Sequence, residues 1–134
     1  MLEHAQQAAS MAYAPYSQFS VGAAVLTRNG EVYTGANIEN ASYGLTVCAE
    51  RTALFKAVIA GQRDVVAVAV WTPNRPGGLV TPCGACRQVM SEFMAADAEV
   101  ILAEPEPNSE KTVRRYTLAE LLPESFVLER SENA

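Results

Sequence analysis

The spacing of hydrophobic and polar residues in the first part of the chain predicts a helix followed by a β-hairpin. Residues 2–13 are rich in Ala and Gln with apolar positions at helical spacing, and Pro15 marks the end of this helix. Two strand-like runs, Val21 to Thr27 and Glu31 to Ala36, flank the dipeptide Asn29-Gly30. Because Asn-Gly is a strong signal for a tight turn, these runs are predicted to pair as antiparallel strands.

The middle of the chain predicts a second helix and a buried strand. Thr46 is a suitable N-cap for a helix from Val47 to Ala60, and Gly61 fits its C-terminal stop. The run from Val65 to Thr72 is apolar, continuous and rich in β-branched residues. Such a run is typical of a strand that is buried on both faces.

A Pro- and Gly-rich loop from Pro73 to Val80 separates this strand from a third helix. Within it, 74–78 (Asn74 to Gly78) indicates only a surface turn. Thr81 and Pro82 form an N-cap and first-turn pair for the helix, which is predicted to extend to Ala96. The remaining predicted elements are a short strand and a short helix, Glu99 to Ala103 and Leu118 to Leu122. No repeat, low-complexity segment or linker interrupts 1–134, so we expect a single α/β domain.

Composition and charge limit the classes of function. The chain has 134 residues, of which 49% are hydrophobic, and this is enough for one domain with its own core. The formal net charge is −5, from 10 basic and 15 acidic residues, which argues against a nucleic-acid polymer as partner. No apolar run reaches the roughly 18 residues of a membrane span, and the first residues resemble no targeting signal. We therefore expect a cytoplasmic protein that acts on a small molecule.

The three cysteines are arranged like the ligands of a metal site. Cys48 lies near the start of one predicted helix, and Cys83 and Cys86 form a C-x-x-C pair at the start of another. Three thiolates bind zinc readily and leave its fourth position to water. His4 is the one histidine and lies far away in the first helix, so a closed structural site lacks a fourth ligand. The alternative is three buried cysteines without metal.

Two charged residues, Glu50 and Arg51, lie two and three positions after Cys48. Glu50 is placed to exchange protons with a water molecule on the metal, although a glutamate in the first turn of a helix is also common without any chemistry. Arg51 could donate hydrogen bonds to the cysteine sulfurs and temper their charge, or simply lie on the helix surface.

These residues match the zinc-deaminase signature H-x-E followed by P-C-x-x-C, with Cys48 in the histidine position. Beyond the signature, the chain resembles small, homotetrameric cytidine deaminases over roughly residues 14 to 126 in the order of that family's motifs. The resemblance implies a three-layer α/β/α sandwich with a mixed five-stranded sheet. The segments that carry it are A-P-Y-S-Q-F-S-V-G-A-A at 14–24, N-I-E-N-A-S-Y at 37–43, C-A-E-R-T-A at 48–53, P-C-G-A-C-R-Q at 82–88 and L-L-P-E-S-F at 121–126.

The resemblance also implies roles for individual residues. Phe19 would pack against the base and ribose, Asn37 and Glu39 would hold the ribose hydroxyls, and backbone groups of Ala49 and of 81–82 would meet the base edge. Gln88 would support the zinc thiolates. Phe126 and the 41–43 turn, with Tyr43, would reach into a neighbouring subunit's site. In the alternative interpretation, the two phenylalanines are ordinary core residues and Asn37-x-Glu39 is an ordinary strand-end turn.

The implied activity is the zinc-dependent hydrolytic deamination of cytidine, and of 2′-deoxycytidine, in pyrimidine salvage. It would use one zinc ion per chain, Glu50 as the group that moves protons, and no redox or organic cofactor. One rival is a deaminase of the blasticidin S type, which shares the Cys-Ala-Glu and Pro-Cys-Gly-x-Cys-Arg-Gln segments; Phe19 and Asn37-x-Glu39 favour a ribose instead. The other rival is a zinc-stabilised module without activity, and the presence of Glu50 argues against it.

Overall fold

A computed structural model of the protein describes residues 1–72, 80–105 and 111–130, and it places helices on both faces of a five-stranded sheet. The helices are α1 Leu2–Ala9, α2 Ala49–Ile59, α3 Gly84–Phe93 and α4 Leu118–Leu121. The strands are β1 Gly22–Thr27, β2 Val32–Ala36, β3 Val65–Trp71, β4 Met94–Pro105 and β5 Lys111–Thr117. Among the described residues, every helix is too short or too polar to cross a membrane.

The sheet is mixed, as the sequence led us to expect. Its strand order is β2-β1-β3-β4-β5, with β3 and β4 parallel and the other neighbours antiparallel. One face carries the larger core, in which residues of α2, α3 and α4 pack on the sheet. The other face packs against α1 through Ala5 and Ala9, beside Ala69 and Trp71. The predicted three-layer α/β/α sandwich is therefore confirmed.

The hairpin and the buried strand lie where the hydrophobic pattern places them. β1 and β2 pair antiparallel across the turn, in which Gly30 has a φ of 89°. β3 is buried along nearly its whole length, because both faces of the sheet are covered. Gly35 of β2 lets α2 approach closely, since a Cβ there would lie 2.4 Å from the Ala53 nitrogen.

The predicted start of α2 and the predicted end of α1 were wrong. In each case a residue predicted to be helical, Val47 or Tyr13, instead makes backbone hydrogen bonds to the segment at Asn37 and Ile38. Val47 exchanges two hydrogen bonds of 2.9 Å with Ile38, so α2 begins only at Ala49, with Cys48 rather than Thr46 as its N-cap. Tyr13 likewise donates to the Asn37 carbonyl (2.9 Å), and α1 has already ended at Ala9. The stop at Gly61, with a φ of 91°, agrees with the prediction.

The bounds of the third helix also differ from the prediction. Cys83 rather than Thr81 is the N-cap of α3, and the Arg87 nitrogen makes the first helical bond to its carbonyl (3.0 Å). The helix ends at Phe93 rather than Ala96, because Met94 already pairs with Val65 in the sheet. β4 is consequently longer than the predicted run from 99 to 103.

The last strand was not located by the hydrophobic pattern. β5 pairs with β4 at the edge of the sheet, and Arg114 and Arg115 on it are exposed, so its apolar alternation is weak. The short helix α4 begins at Leu118, as predicted, and ends at Leu121, one residue before the predicted end. A capping box between Thr117 and Glu120 fixes its start. The predicted loop at 73–80 lies outside the described residues except for Val80, and this includes 74–78.

Candidate active site

The three cysteine sulfurs meet where α2 and α3 begin. Cys48 and Cys83 are the N-caps of these helices in nearly the same extended backbone conformation, and Cys86 lies in the first turn of α3. The Sγ atoms of Cys48 and Cys83 are 3.9 Å apart, those of Cys83 and Cys86 are 3.5 Å apart, and all three lie within 4.8 Å of one another. Sulfurs bound about 2.3 Å from a tetrahedral zinc ion are about 3.8 Å apart. The residues therefore fit a zinc ion with one coordination position left open.

Hydrogen bonds and charge around the sulfurs favour a thiolate at Cys48. A hydrogen bond from the Cys86 thiol and the neighbouring Arg51 guanidinium lower the pKa of Cys48 to about 5. The same interaction and burial raise the pKa of Cys86. Arg51 donates from Nη2 to the Cys48 sulfur (3.6 Å) and to the Thr46 carbonyl (3.5 Å). A fixed cation thus lies against one of the three sulfurs.

Glu50 lies beside the sulfur cluster in the first turn of α2. It is only 5% exposed, and burial raises the pKa of its carboxyl to about 7. A carboxyl group with a pKa close to neutral can both accept and return a proton under ordinary conditions. The helix start therefore supplies a metal-ligand candidate and a proton-transfer candidate two residues apart.

A cavity of about 320 Å³ opens in front of this cluster. Its floor includes the buried residues Ala49, Glu50, Val70 and Thr72, whereas Ser17 lies at its exposed rim. Eight of the residues predicted from the sequence line this one cavity. They are Phe19, Asn37, Glu39, Cys48, Ala49, Glu50, Thr81 and Cys83.

Asn37 and Glu39 hold the loop that precedes β1, in addition to facing the cavity. The Asn37 amide donates to the Phe19 carbonyl (2.7 Å) and accepts from the Val21 nitrogen (2.8 Å). Glu39 accepts from the backbone nitrogens of Tyr16 (3.0 Å) and Ser17 (3.1 Å) and from the Ser17 hydroxyl. The Ser17 bonds and the Tyr16 nitrogen lower the pKa of the Glu39 carboxyl. Both side chains therefore hold the backbone on either side of Phe19 in place by hydrogen bonds.

Three predicted residues lie away from this cavity. Tyr43 is 76% exposed and packs edge-to-face on Tyr16, with ring centroids 6.2 Å apart, beside a second cavity. Phe126 is 67% exposed near the end of the described chain. Gln88 donates from Nε2 to the Phe126 carbonyl (3.4 Å). Within one chain, none of the three is among the described residues that line the cavity of Glu50.

Two residues that sequence reasoning missed also belong to this region. Thr72 ends the apolar run of β3 and lies on the cavity floor; a polar residue at the end of such a run was the available signal. Arg87 donates to the carbonyls of Pro82 and Leu121, both at 2.7 Å. Nothing in its spacing indicates these two acceptors, since they are distant from each other in sequence.

Comparisons with known proteins agree with this geometry. Residues 1–103 match the family model "Cytidine and deoxycytidylate deaminase zinc-binding region". The chain is similar to a cytidine deaminase of Halalkalibacterium halodurans, with 55% identity over 130 residues that cover 96% of this chain and 93% of the relative. It is also similar to a cytidine deaminase of Sporosarcina psychrophila, with 46% identity over 126 residues, 94% of this chain and 88% of the relative.

Solved structures give the same result. A crystal structure of cytidine deaminase from Burkholderia pseudomallei has a TM-score of 0.85 and 48% identity, covering 93% of this chain and 95% of that one. A crystal structure of cytidine deaminase from Mycobacterium tuberculosis has a TM-score of 0.77 and 39% identity, covering 96% and 95%. With a zinc-binding family model that matches most of its length and a sulfur cluster that fits zinc, the chain belongs to the cytidine and deoxycytidylate deaminase family.

Proposed function

We propose that the protein is a zinc-dependent enzyme that hydrolyses cytidine, and 2′-deoxycytidine, to the corresponding uridine nucleoside and ammonia. The observation that carries this proposal is a cluster of three cysteine sulfurs, two of whose residues, Cys48 and Cys83, line a cavity of about 320 Å³ together with the buried Glu50. Cytidine is proposed as the substrate because the similar proteins from Halalkalibacterium halodurans and Sporosarcina psychrophila are both called cytidine deaminases.

Cys48, Cys83 and Cys86 would hold the zinc ion, which when bound supplies Lewis-acid activation of a water molecule. Glu50 would accept one proton from the water at its carboxylate and pass it to N3 of the pyrimidine. It would then take the proton of the newly added hydroxyl group and pass it to the departing amino group, which leaves as ammonia. Its buried position and the raised pKa of its carboxyl support this role. Arg51, bonded to the Cys48 sulfur, would offset part of the negative charge that three thiolates bring to the site.

The rest of the cavity would bind a nucleoside with its base toward Glu50 and its sugar toward Glu39. Phe19 would pack on the base and ribose, the Ala49 backbone would meet the base edge, and Asn37 and Glu39 would bind the sugar hydroxyls. Among the described residues that line the cavity there is no Lys, Arg or His to accept a phosphate. This composition favours a free nucleoside over a nucleotide.

We further propose that the working unit is a homotetramer with shared sites, formed by a single-domain chain of residues 1–134. Exposure of Phe126 and Tyr43, both outside the cavity of their own chain, supports roles at the cavity of a neighbouring copy. The activity would return free cytidine to the uridine pool, which is pyrimidine salvage. Three free thiols favour a reducing compartment such as the cytoplasm.

The proposal is tested by measuring ammonia release and the change in absorbance of the base with four substrates. They are cytidine, 2′-deoxycytidine, cytosine and 2′-deoxycytidylate. Both nucleosides should be converted, whereas the free base and the nucleotide should be poor substrates. A Glu50→Ala sample prepared in parallel controls for contaminating deaminase. Preferential conversion of the nucleotide, or no conversion of cytidine by zinc-loaded protein, would contradict the proposal.

A further inference from the structure

Thr72 has an unusual position on the floor of the cavity. It follows β3 directly and is 2% exposed. Side chains alternate along this strand: Val70 belongs to the core beneath α2 and α3, and Trp71 to the core beneath α1. Thr72 therefore shares the face of Val70, and both residues line the cavity that contains Glu50.

The Thr72 hydroxyl is buried without a hydrogen-bond partner in the part of the chain that the structure describes. Its backbone nitrogen is satisfied, since it donates to the Ala103 carbonyl (3.1 Å). A second buried threonine in the sheet shows the contrast: Thr27 is 1% exposed, and its hydroxyl oxygen accepts from the Glu31 nitrogen (3.1 Å). Because a buried hydroxyl without a partner costs free energy, the one at Thr72 calls for a partner that the hydrogen bonds of the described residues do not supply.

The position of Thr72 in the cavity indicates which part of a ligand it would meet. Thr72 and Glu50 are both buried where they line the cavity, whereas Ser17 is exposed and Glu39 is half-buried. In the proposed function the sugar occupies the rim, so the base must reach the buried part of the cavity. A threonine exchanges its hydroxyl and methyl positions by rotation about the Cα–Cβ bond, so Oγ1 can turn toward a ligand.

We propose that the Thr72 hydroxyl binds the polar edge of the pyrimidine that carries the departing amino group. A hydroxyl is both donor and acceptor. It can therefore accept from the amino group of cytidine and donate to the carbonyl oxygen on C4 that replaces this group in uridine. The inference rests on the proposed function and adds to it a residue that binds substrate and product at the reacting end of the cavity.

Three variants test it: Thr72→Val, which removes the hydroxyl and keeps the shape; Thr72→Ser, which keeps the hydroxyl; and the matched control Thr27→Val. The readouts are the melting temperature without ligand, kcat/KM for cytidine, and the inhibition constant of uridine. Thr72→Val should melt at the same or a higher temperature, because an unpaired polar group is lost, while uridine binding and kcat/KM weaken about tenfold. Thr72→Ser should stay within about threefold of the wild type.

The control should show the opposite pattern. Thr27→Val should melt at a lower temperature, since it removes a paired hydroxyl, and should bind uridine like the wild type. If Thr72→Val binds uridine and turns over cytidine normally, the inference is wrong while the proposed function stands. If Thr72→Val instead melts early, the hydroxyl serves the folded protein, with the neighbouring buried Glu104 as its candidate partner, and the inference is again wrong. A wild type that does not convert cytidine overturns the proposed function, and the inference with it.

Discussion

Replacing Asn37 by alanine should weaken the fold as well as nucleoside binding. Asn37 is 8% exposed, and its amide makes bonds of 2.7 and 2.8 Å that join Phe19 and Val21 to the end of β2. The substitution leaves one carbonyl and one N–H without partners. Each partly buried polar group left without a partner costs about 1–2 kcal/mol. We therefore expect the free energy of unfolding to fall by about 2–4 kcal/mol and the melting temperature to fall on the order of 10 °C. Thermal unfolding followed by circular dichroism measures it.

The matched control is Asn37→Asp, which keeps an acceptor for the Val21 nitrogen but places a carboxylate oxygen against the Phe19 carbonyl. It should lose about as much stability as the alanine variant, because repulsion replaces the second bond. Both variants should also raise KM for cytidine, since Phe19 is no longer held in place. An alanine variant that melts like the wild type would refute this reasoning and leave Asn37 a role toward the ligand alone.

Three further predictions concern the metal, the proton-transfer group and the assembly. Cys83→Ala should lose zinc by elemental analysis, and full retention of zinc would contradict its assignment as a ligand. Glu50→Ala should keep zinc and fold but lose about 10²–10⁴-fold or more in kcat, so a variant with a tenth of the activity would assign the protons to another group. Phe126→Ala should raise KM without zinc loss. Inactive Glu50→Ala and Phe126→Trp chains should regain activity on mixing if sites are shared, and light scattering of a fully active monomer would refute sharing.

Elements with a strong local pattern could be located from the sequence, and their ends could not. The hairpin around Asn29-Gly30 and the buried strand from Val65 follow from local chemistry, and both are present. The start of α2 depends instead on the pairing of Val47 with Ile38, a contact between residues that only the fold brings together. Edge strand β5 was missed for a related reason, because its exposed arginines remove the alternation that marks a strand.

Much of the candidate site could also be predicted, because its chemistry lies in short segments. The residue types and spacing of the three cysteines and Glu50 predict a metal site with a proton-transfer group beside it, and the structure places these residues together. Contacts of side chains with distant backbone atoms could not be predicted. The bonds from Asn37 to Phe19 and Val21, like the unpartnered hydroxyl of Thr72, depend on which loops pack against the sheet.

Arg87 shows how such contacts connect parts of the site. Its guanidinium donates to the carbonyl of Pro82, which precedes the metal-ligand candidate Cys83, and to the carbonyl of Leu121 at the end of α4. Gln88 continues the connection by donating to the Phe126 carbonyl. Two consecutive side chains of α3 therefore tie the C-terminal segment to the turn that carries Cys83. Because a half-buried guanidinium must satisfy both carbonyls at once, a displacement of either segment costs hydrogen bonds at the other, and the sulfur cluster and the C-terminal segment are positioned together.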